Sequence, residues 1–214
     1  MSSLYYNISI EGTIGVGKTS LANIVAKKIK AKLILEKFEE NPFLKDFYKN
    51  QQQHAFQTQL FFLLSRYSQH QELKQVDIFS KTVISDYMFI KDRLFACLNL
   101  NDREMVLYDS VAKILEKDII YPDLAIFLQA DTDKLMLNIK KRGRVYEGSI
   151  TPNYIESLNQ VYNEYFFRYD KGPLLIINTN DIDFVNNIDD LNGIIDFLKE
   201  PIKGRKYYNP IKSF

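Results

Sequence analysis

The 214-residue sequence predicts an α/β fold, with a parallel sheet of about five strands and helices on both faces. Short apolar runs of strand length alternate with longer stretches in which apolar residues recur at helical spacing. Strands separated by such stretches pair in parallel, because a parallel pair needs a long crossover and a helix supplies it. A glycine-rich loop also joins the first apolar run to the first helical stretch.

In chain order, residues 4–10 make the first strand and GTIGVGKT at 12–19 the loop after it. A helix over 18–29 and a strand at 32–35 follow. The stretch 52–73 is a helix with an apolar stripe of Phe56, Leu60, Leu63, Leu64 and Tyr67, most of which is expected to face the core. Residues 82–85 are the third strand, 102–117 a helix and 124–128 the fourth strand, with Tyr121-Pro122-Asp123 ending the helix ahead of it. A helix over 132–141 runs into a basic segment. Thr151-Pro152 reads as an N-cap and a proline at the first helical position, opening a helix over 152–169. Lys171-Gly172-Pro173 separates it from a fifth strand at 174–178, and a last helix covers 189–198. Periodicity is lost after Pro201. One domain over 1–200 is expected, with a tail over 201–214 that is loose or packed on a neighbour.

Composition narrows the function. Lys+Arg 28 against Asp+Glu 27 leaves a net charge of +1, without the basic surplus that gripping a long nucleic acid requires. Cys97 is the only cysteine, which excludes an intramolecular disulfide and a cysteine zinc site. Two histidines, His54 and His70, are too few for a histidine metal centre and thin support for a Ser-His-Asp triad. The N-terminus has no basic start followed by an apolar run, and no window reaches about 18 apolar residues. A cytoplasmic protein without a membrane partner is expected.

The loop GTIGVGKT matches G-x-x-x-x-G-K-[ST] in the strand–loop–helix context that gives this motif its meaning. Gly12, Gly15 and Gly17 let the chain curl so that its backbone N–H groups, through Thr13, Ile14 and Val16, point at phosphate oxygens. The helix beginning at Lys18 adds its positive end. Lys18 reaches the β- and γ-phosphates, and Thr19 offers a hydroxyl to Mg²⁺. A nucleoside triphosphate site follows from the motif. The fate of the γ-phosphate does not, since GTPases, ATPases and small-molecule kinases share it.

Ligand groups in an open parallel sheet come from the carboxyl ends of strands. The second strand ends at Glu36 and the third at Asp86. One carboxylate there can take a proton from an acceptor hydroxyl and another can help hold Mg²⁺. Glu36 also opens the run EKFEENPF, which a solvated acidic turn would explain as well. Gln59 and Arg66 lie two turns apart beside the apolar stripe. Gln pairs readily with a nucleobase edge, and Arg contacts a base or the acid that orients it, although a solvent-facing pair has the same spacing. In IKKRGRVYEG, residues 139–148, Lys140, Lys141, Arg142 and Arg144 surround Gly143. Such a hinge can close over a transferring phosphoryl group; a solvated helix end is the plainer reading.

Together these segments resemble the deoxyribonucleoside kinase family, especially bacterial deoxyadenosine/deoxyguanosine kinases. The resemblance runs from Ile8 to Leu198 and rests on GTIGVGKT, EKFEENPFLKDFY, FQTQLFFLLSRYSQ, SDY, KKRGRVYE and YDKGPLLIINTNDIDF in that order. It implies a P-loop kinase fold with a short basic lid, ATP as donor with Mg²⁺, a homodimer, and phosphate transfer to the 5′-hydroxyl of a deoxynucleoside. By position, Glu36 looks like the general base and Gln59 the base-pairing residue, with Arg66 in support. Tyr48 and Glu147 look like the pair on the sugar 3′-hydroxyl. Arg142 and Arg144 resemble lid arginines, one flanking adenine and one touching phosphates. Asp86 matches the acid that holds Mg²⁺ with Thr19. Residues 180–184, Asp181 and Phe184 among them, match the wrap around the ATP adenine.

Two positions depart from the family pattern. Tyr87 stands where an arginine commonly follows the strand-three acid, with Lys91 and Arg93 as nearby cations. Asn138 stands where the lid carries a further arginine. The first departure occurs also in bacterial deoxyguanosine kinase-like sequences and tilts the expected substrate to purines. Two rivals remain: a monophosphate kinase of the thymidylate kinase type and a non-catalytic nucleotide-binding regulatory subunit. A phosphate acceptor needs cations rather than a base, so Glu36 with Tyr87 favours a hydroxyl acceptor.

Overall fold

The computed structural model describes residues 4–74 and 82–210. Six strands form one parallel sheet: β1 (Asn7–Gly12), β2 (Lys32–Ile34), β3 (Val83–Ser85), β4 (Leu124–Gln129), β5 (Leu174–Asn178) and β6 (Arg205–Tyr208), in the spatial order β2-β3-β1-β4-β5-β6. The crossovers carry α1 (Lys18–Ile29), α2 (Leu44–Lys49), α3 (Gln51–Lys74), α4 (Lys91–Asn99), α5 (Asp102–Leu115), α6 (Thr132–Arg142), α7 (Pro152–Phe167) and α8 (Ile188–Phe197).

Strand alternation sorts these helices onto two faces. On β4 and β5, Leu124, Ile126, Leu128, Leu175 and Ile177 point to a layer built from Leu21, Ala22, Val25 and Ala26 of α1, Leu135 and Ile139 of α6, and Leu191, Ile194 and Ile195 of α8. Their alternates Ala125, Phe127, Leu174 and Ile176 meet Leu94 of α4 and Leu158, Tyr162 and Phe166 of α7. Phe127 stacks on Phe166 at a centroid distance of 4.2 Å. A third cluster joins Leu63 of α3 to Ala96 of α4 and to Tyr108 and Ala112 of α5.

The helix starts follow local chemistry. Asn101 accepts from the N–H groups of Arg103 and Glu104, and Glu104 reaches back to the Asn101 N–H, a capping box that opens α5. Thr151 caps α7 by accepting from Tyr154 N, with Pro152 at the first position.

Of the two states expected for the tail over 201–214, loose or packed on a neighbour, the described part is packed. Arg205–Tyr208 pairs in parallel with β5, so the sheet has six strands rather than about five. Tyr207 and Tyr208 are half-buried or exposed, which gave the sequence no apolar run to mark a strand. Tyr5 ties the approach to β6 down, its hydroxyl accepting from Ile202 N at 2.7 Å. Residues 211–214 lie outside the described residues.

Candidate active site

Curling the chain out of β1 and into α1 within five residues demands unusual backbone angles. Gly15 and Gly17 have φ of +88° and +102°, where an L side chain is strained. Space forbids one as well. A Cβ on Gly15 would stand 2.7 Å from the Leu135 carbonyl oxygen, and one on Gly17 2.8 Å from the Phe184 ring. Asn138 Nδ2 donates to the Gly15 carbonyl at 2.8 Å, so this departure from the family pattern ties α6 to the loop. Glu11, fully buried, accepts from Gly12 N at 3.0 Å and Met88 N at 2.7 Å, joining the loop to the segment after β3.

Lys18 Nζ donates to the carbonyls of Gly12 and Thr13 at 2.7 and 3.0 Å. Burial and Lys91 lower its pKa to about 8, against the pull of Glu11, Glu36 and Asp86. Thr19 Oγ1 donates to Asp86 Oδ2 at 2.5 Å, and the other Asp86 oxygen accepts from Glu36 N at 2.8 Å. A hydroxyl and a carboxylate are hard oxygen donors of the kind that Mg²⁺ shares with phosphate oxygens. Among the described residues no group of three or more His, Cys, Asp or Glu could hold a metal by itself.

Two cavities meet at this point. The donor-side cleft is lined by Gly15, Val16, Gly17, Lys18 and Thr19, by Lys134, Asn138, Lys141, Arg142 and Arg144 of the α6 region, and by Thr179, Ile182, Asp183, Phe184, Val185 and Asn186. Asp181, expected here, is not among the lining residues; the chain alternates, burying Ile182 and Phe184 and presenting Asp183. The side chains of Thr13 and Ile14, as distinct from their backbone N–H groups, face other neighbours. Thr13 Oγ1 donates to Asn159 of α7 at 2.8 Å, and Ile14 lines the second cavity.

The second cavity brings Lys18, Thr19, Glu36 and Asp86 together with Tyr48, Gln59, Arg66, Arg142, Arg144 and Glu147. Its walls are apolar: Phe38, Leu44, Phe47, Phe62 and Phe95, with Tyr146 stacked on Tyr48 at 5.7 Å. Gln59 is buried and its Oε1 has no hydrogen-bond partner. Tyr48 keeps its phenolic proton, because burial, with Tyr154 and Glu147 nearby, raises its pKa far above the ordinary value. Glu147 takes Arg142 at 2.7 Å and Arg144 at 3.3 Å, and Arg144 also lies 4.0 Å over the Phe38 ring. Both lid arginines therefore converge on the carboxylate expected at the sugar.

Of the two contacts expected for Arg66, a base or an acid, the structure shows acids. Its Nε and Nη2 donate to Glu36 Oε1 at 3.0 and 2.5 Å, and its Nη1 to Asp92 Oδ1 at 2.5 Å, so its hydrogen bonds go to carboxylates. Lys91 Nζ takes the other Glu36 oxygen at 2.5 Å. Burial alone would push the Glu36 carboxyl up, but Lys91 and Arg66 outweigh it and hold it well below the usual carboxylate range. Arg93 is spent elsewhere, on Asp109 at 2.6 Å, and Tyr87 turns its hydroxyl onto Gln69 at 3.1 Å. The cation at the strand-three end is thus Lys91. It lies in the first turn of α4, a nine-residue helix too short and too polar at its start to be read from periodicity.

Against known proteins, a family model described as deoxynucleoside kinase matches residues 8–203. A deoxyguanosine kinase of Bacillus subtilis (strain 168) is 34% identical over 202 residues, covering 91% of this chain and 97% of that protein. A deoxyadenosine/deoxycytidine kinase of the same organism is 26% identical, with 91% and 92% covered. A solved deoxyadenosine kinase from M. mycoides with bound dATP superposes with a TM-score of 0.79 at 25% identity, over 91% of this chain and 100% of that one.

Proposed function

The chain belongs to the deoxynucleoside kinase family, an ATP-dependent phosphotransferase acting on deoxynucleosides, and we propose how its residues carry that reaction. The reading rests on one observation: Glu36 sits where the cavity holding Gln59, Tyr48 and Glu147 meets Lys18, Thr19 and Asp86. A 5′-hydroxyl placed beside Glu36 faces the end of the phosphate loop. Its oxygen bonds to the γ-phosphorus as the bond from that phosphorus to the bridging oxygen breaks, and its proton passes to Glu36. A carboxylate held ionised by two cations is a weak base. Phosphoryl transfer tolerates that, because in a loose transition state the hydroxyl loses its proton late. Glu36 orients the nucleophile first and accepts the proton afterwards.

Lys18, Arg142 and Arg144 neutralise charge on the phosphoryl oxygens. Thr19 and Asp86 would hold Mg²⁺, which would supply positive charge against the charge developing on the phosphoryl group. Phe184, packed under Gly17, lines the adenine end. Gln59 reads the base edge with its unpaired carbonyl, between walls of Phe38, Phe62 and Phe95, and Tyr48 and Glu147 take the 3′-hydroxyl. A purine deoxynucleoside is the preferred acceptor, supported by the naming of the Bacillus subtilis relative as a deoxyguanosine kinase. The protein works in the cytoplasm as one kinase unit that includes β6, and as a homodimer joined through α3 and α5, where Leu64, Val106, Leu107 and Ile114 are exposed.

Glu36→Gln tests the assignment. Turnover is expected to fall by about 10²–10⁴-fold, with ATP binding retained. Near-native turnover would remove Glu36 from the role.

A further inference from the structure

Behind Glu36 a chain of buried groups runs outward to α5. Arg66 is 3%, Asp92 0% and Tyr108 1% exposed. The Tyr108 hydroxyl donates to Asp92 Oδ2 at 2.7 Å, and the other Asp92 oxygen accepts from Arg66 Nη1 at 2.5 Å. The remaining nitrogens of Arg66 grip Glu36. A guanidinium is a planar fork whose N–H directions are fixed relative to one another. Turning it to follow Asp92 must move the nitrogens that hold Glu36. Tyr108 supplies the second hydrogen bond that stops Asp92 from turning.

We propose that Tyr108 is a positioning residue for Glu36, acting through Asp92 and Arg66. This rests on the assignment of Glu36 as the group that receives the acceptor hydroxyl. The geometry makes the catalytic carboxylate answer to α5, whose opposite face carries the exposed Val106, Leu107 and Ile114. Tyr108 touches neither cavity, and the triphosphate cleft holds neither Arg66 nor Glu36, so its effect belongs in turnover rather than in ATP affinity.

A pH signature follows. Burial pushes the Asp92 carboxyl up to about 6, and Arg66 and Tyr108 pull against it while Glu36 adds to it. Other charged or titratable groups face this chain: Lys91, Lys18 and Asp86 at Glu36, Tyr162 of α7 beside Arg66, and Arg93 beside Tyr108. Removing the tyrosine hydroxyl takes away a hydrogen bond to the ionised form. Asp92 then protonates at higher pH and releases Arg66 sooner on the acid side.

The experiment compares kcat, KM and pH profile for Tyr108→Phe in the native chain and in Glu36→Gln. In the native chain kcat is expected to fall on the order of tenfold, the scale of a small misplacement of a reacting group. KM for ATP should stay within about twofold, and the acid limb of kcat should move up by about half a unit or more. In the Glu36→Gln background the same change should cost nothing further, because groups that act as a unit are not additive. An equal loss in both backgrounds, or an unmoved kcat and acid limb in the native one, overturns the proposal. Loss of activity in Glu36→Gln with no effect of Tyr108→Phe overturns this inference alone. Retained activity in Glu36→Gln overturns the base assignment and this inference with it. If Tyr108→Phe does not fold, Asp92→Asn replaces it and should lower kcat and flatten that limb. An unchanged profile there overturns the proposal equally.

Discussion

Lys91 and Arg66 hold the two oxygens of Glu36 from different helices, and they differ in kind. Arg66 is fixed at both ends by carboxylates, while Lys91 makes a point contact from a flexible stem beside Lys18. Lys91 therefore holds the Glu36 oxygen that Arg66 leaves open and adds positive charge beside Lys18. Replacing it by Met should lower kcat by about tenfold to a hundredfold, with partial recovery in Lys91→Arg, as steady-state kinetics would read. An unchanged kcat would make the contact structural only. The sequence named Glu36, Gln59 and the lid arginines because each sits in a recognisable run. It named Lys91 only as one of two cations, since choosing between Lys91 and Arg93 depends on the phase of a helix that periodicity does not reveal. Arg93 points to α5 and Asp109; Lys91, two residues earlier, points inward.

Among the elements, those with strong local punctuation were legible. The helix over Lys18–Ile29 and the strand over Leu174–Asn178 lie where glycine, proline and alternating apolar residues put them. What stayed hidden was short or polar: α2, α4 and β6. The sixth strand earns its place by backbone pairing rather than by apolar content, which composition cannot show. Ending the chain after Lys203 should therefore lower the melting temperature by several degrees, since β5 loses one whole ladder and becomes an open edge. A melting temperature equal to that of the full chain would return this segment to the status of a tail. The lid shows the same limit. Its basic run was visible, but the convergence of Arg142 and Arg144 on Glu147 depends on the turn at Gly143, with φ of +69° and the chain folding back into Val145–Ser149.

At the scale of the molecule, a net charge of +1 conceals a division of labour. Lys18, Lys91, Lys134, Lys141, Arg142 and Arg144 line the two joined cavities. Among the described residues no helix is long and apolar enough to cross a membrane. In the proposed homodimer the exposed apolar residues of α3 and α5 would meet a second copy. Ile114→Glu should halve the mass seen by sedimentation, because a charge at the centre of an apolar interface is left unpaired; an unchanged mass would move the interface elsewhere. The central claim is that a deoxynucleoside hydroxyl is the acceptor, and the most direct measurement offers ATP and Mg²⁺ with each deoxynucleoside and each deoxynucleoside monophosphate. Formation of 5′-monophosphates, fastest with deoxyguanosine or deoxyadenosine and lowered by about 10²–10⁴-fold in Glu36→Gln, is the predicted result. Diphosphate formation from the monophosphates, with the deoxynucleosides inert, would contradict it.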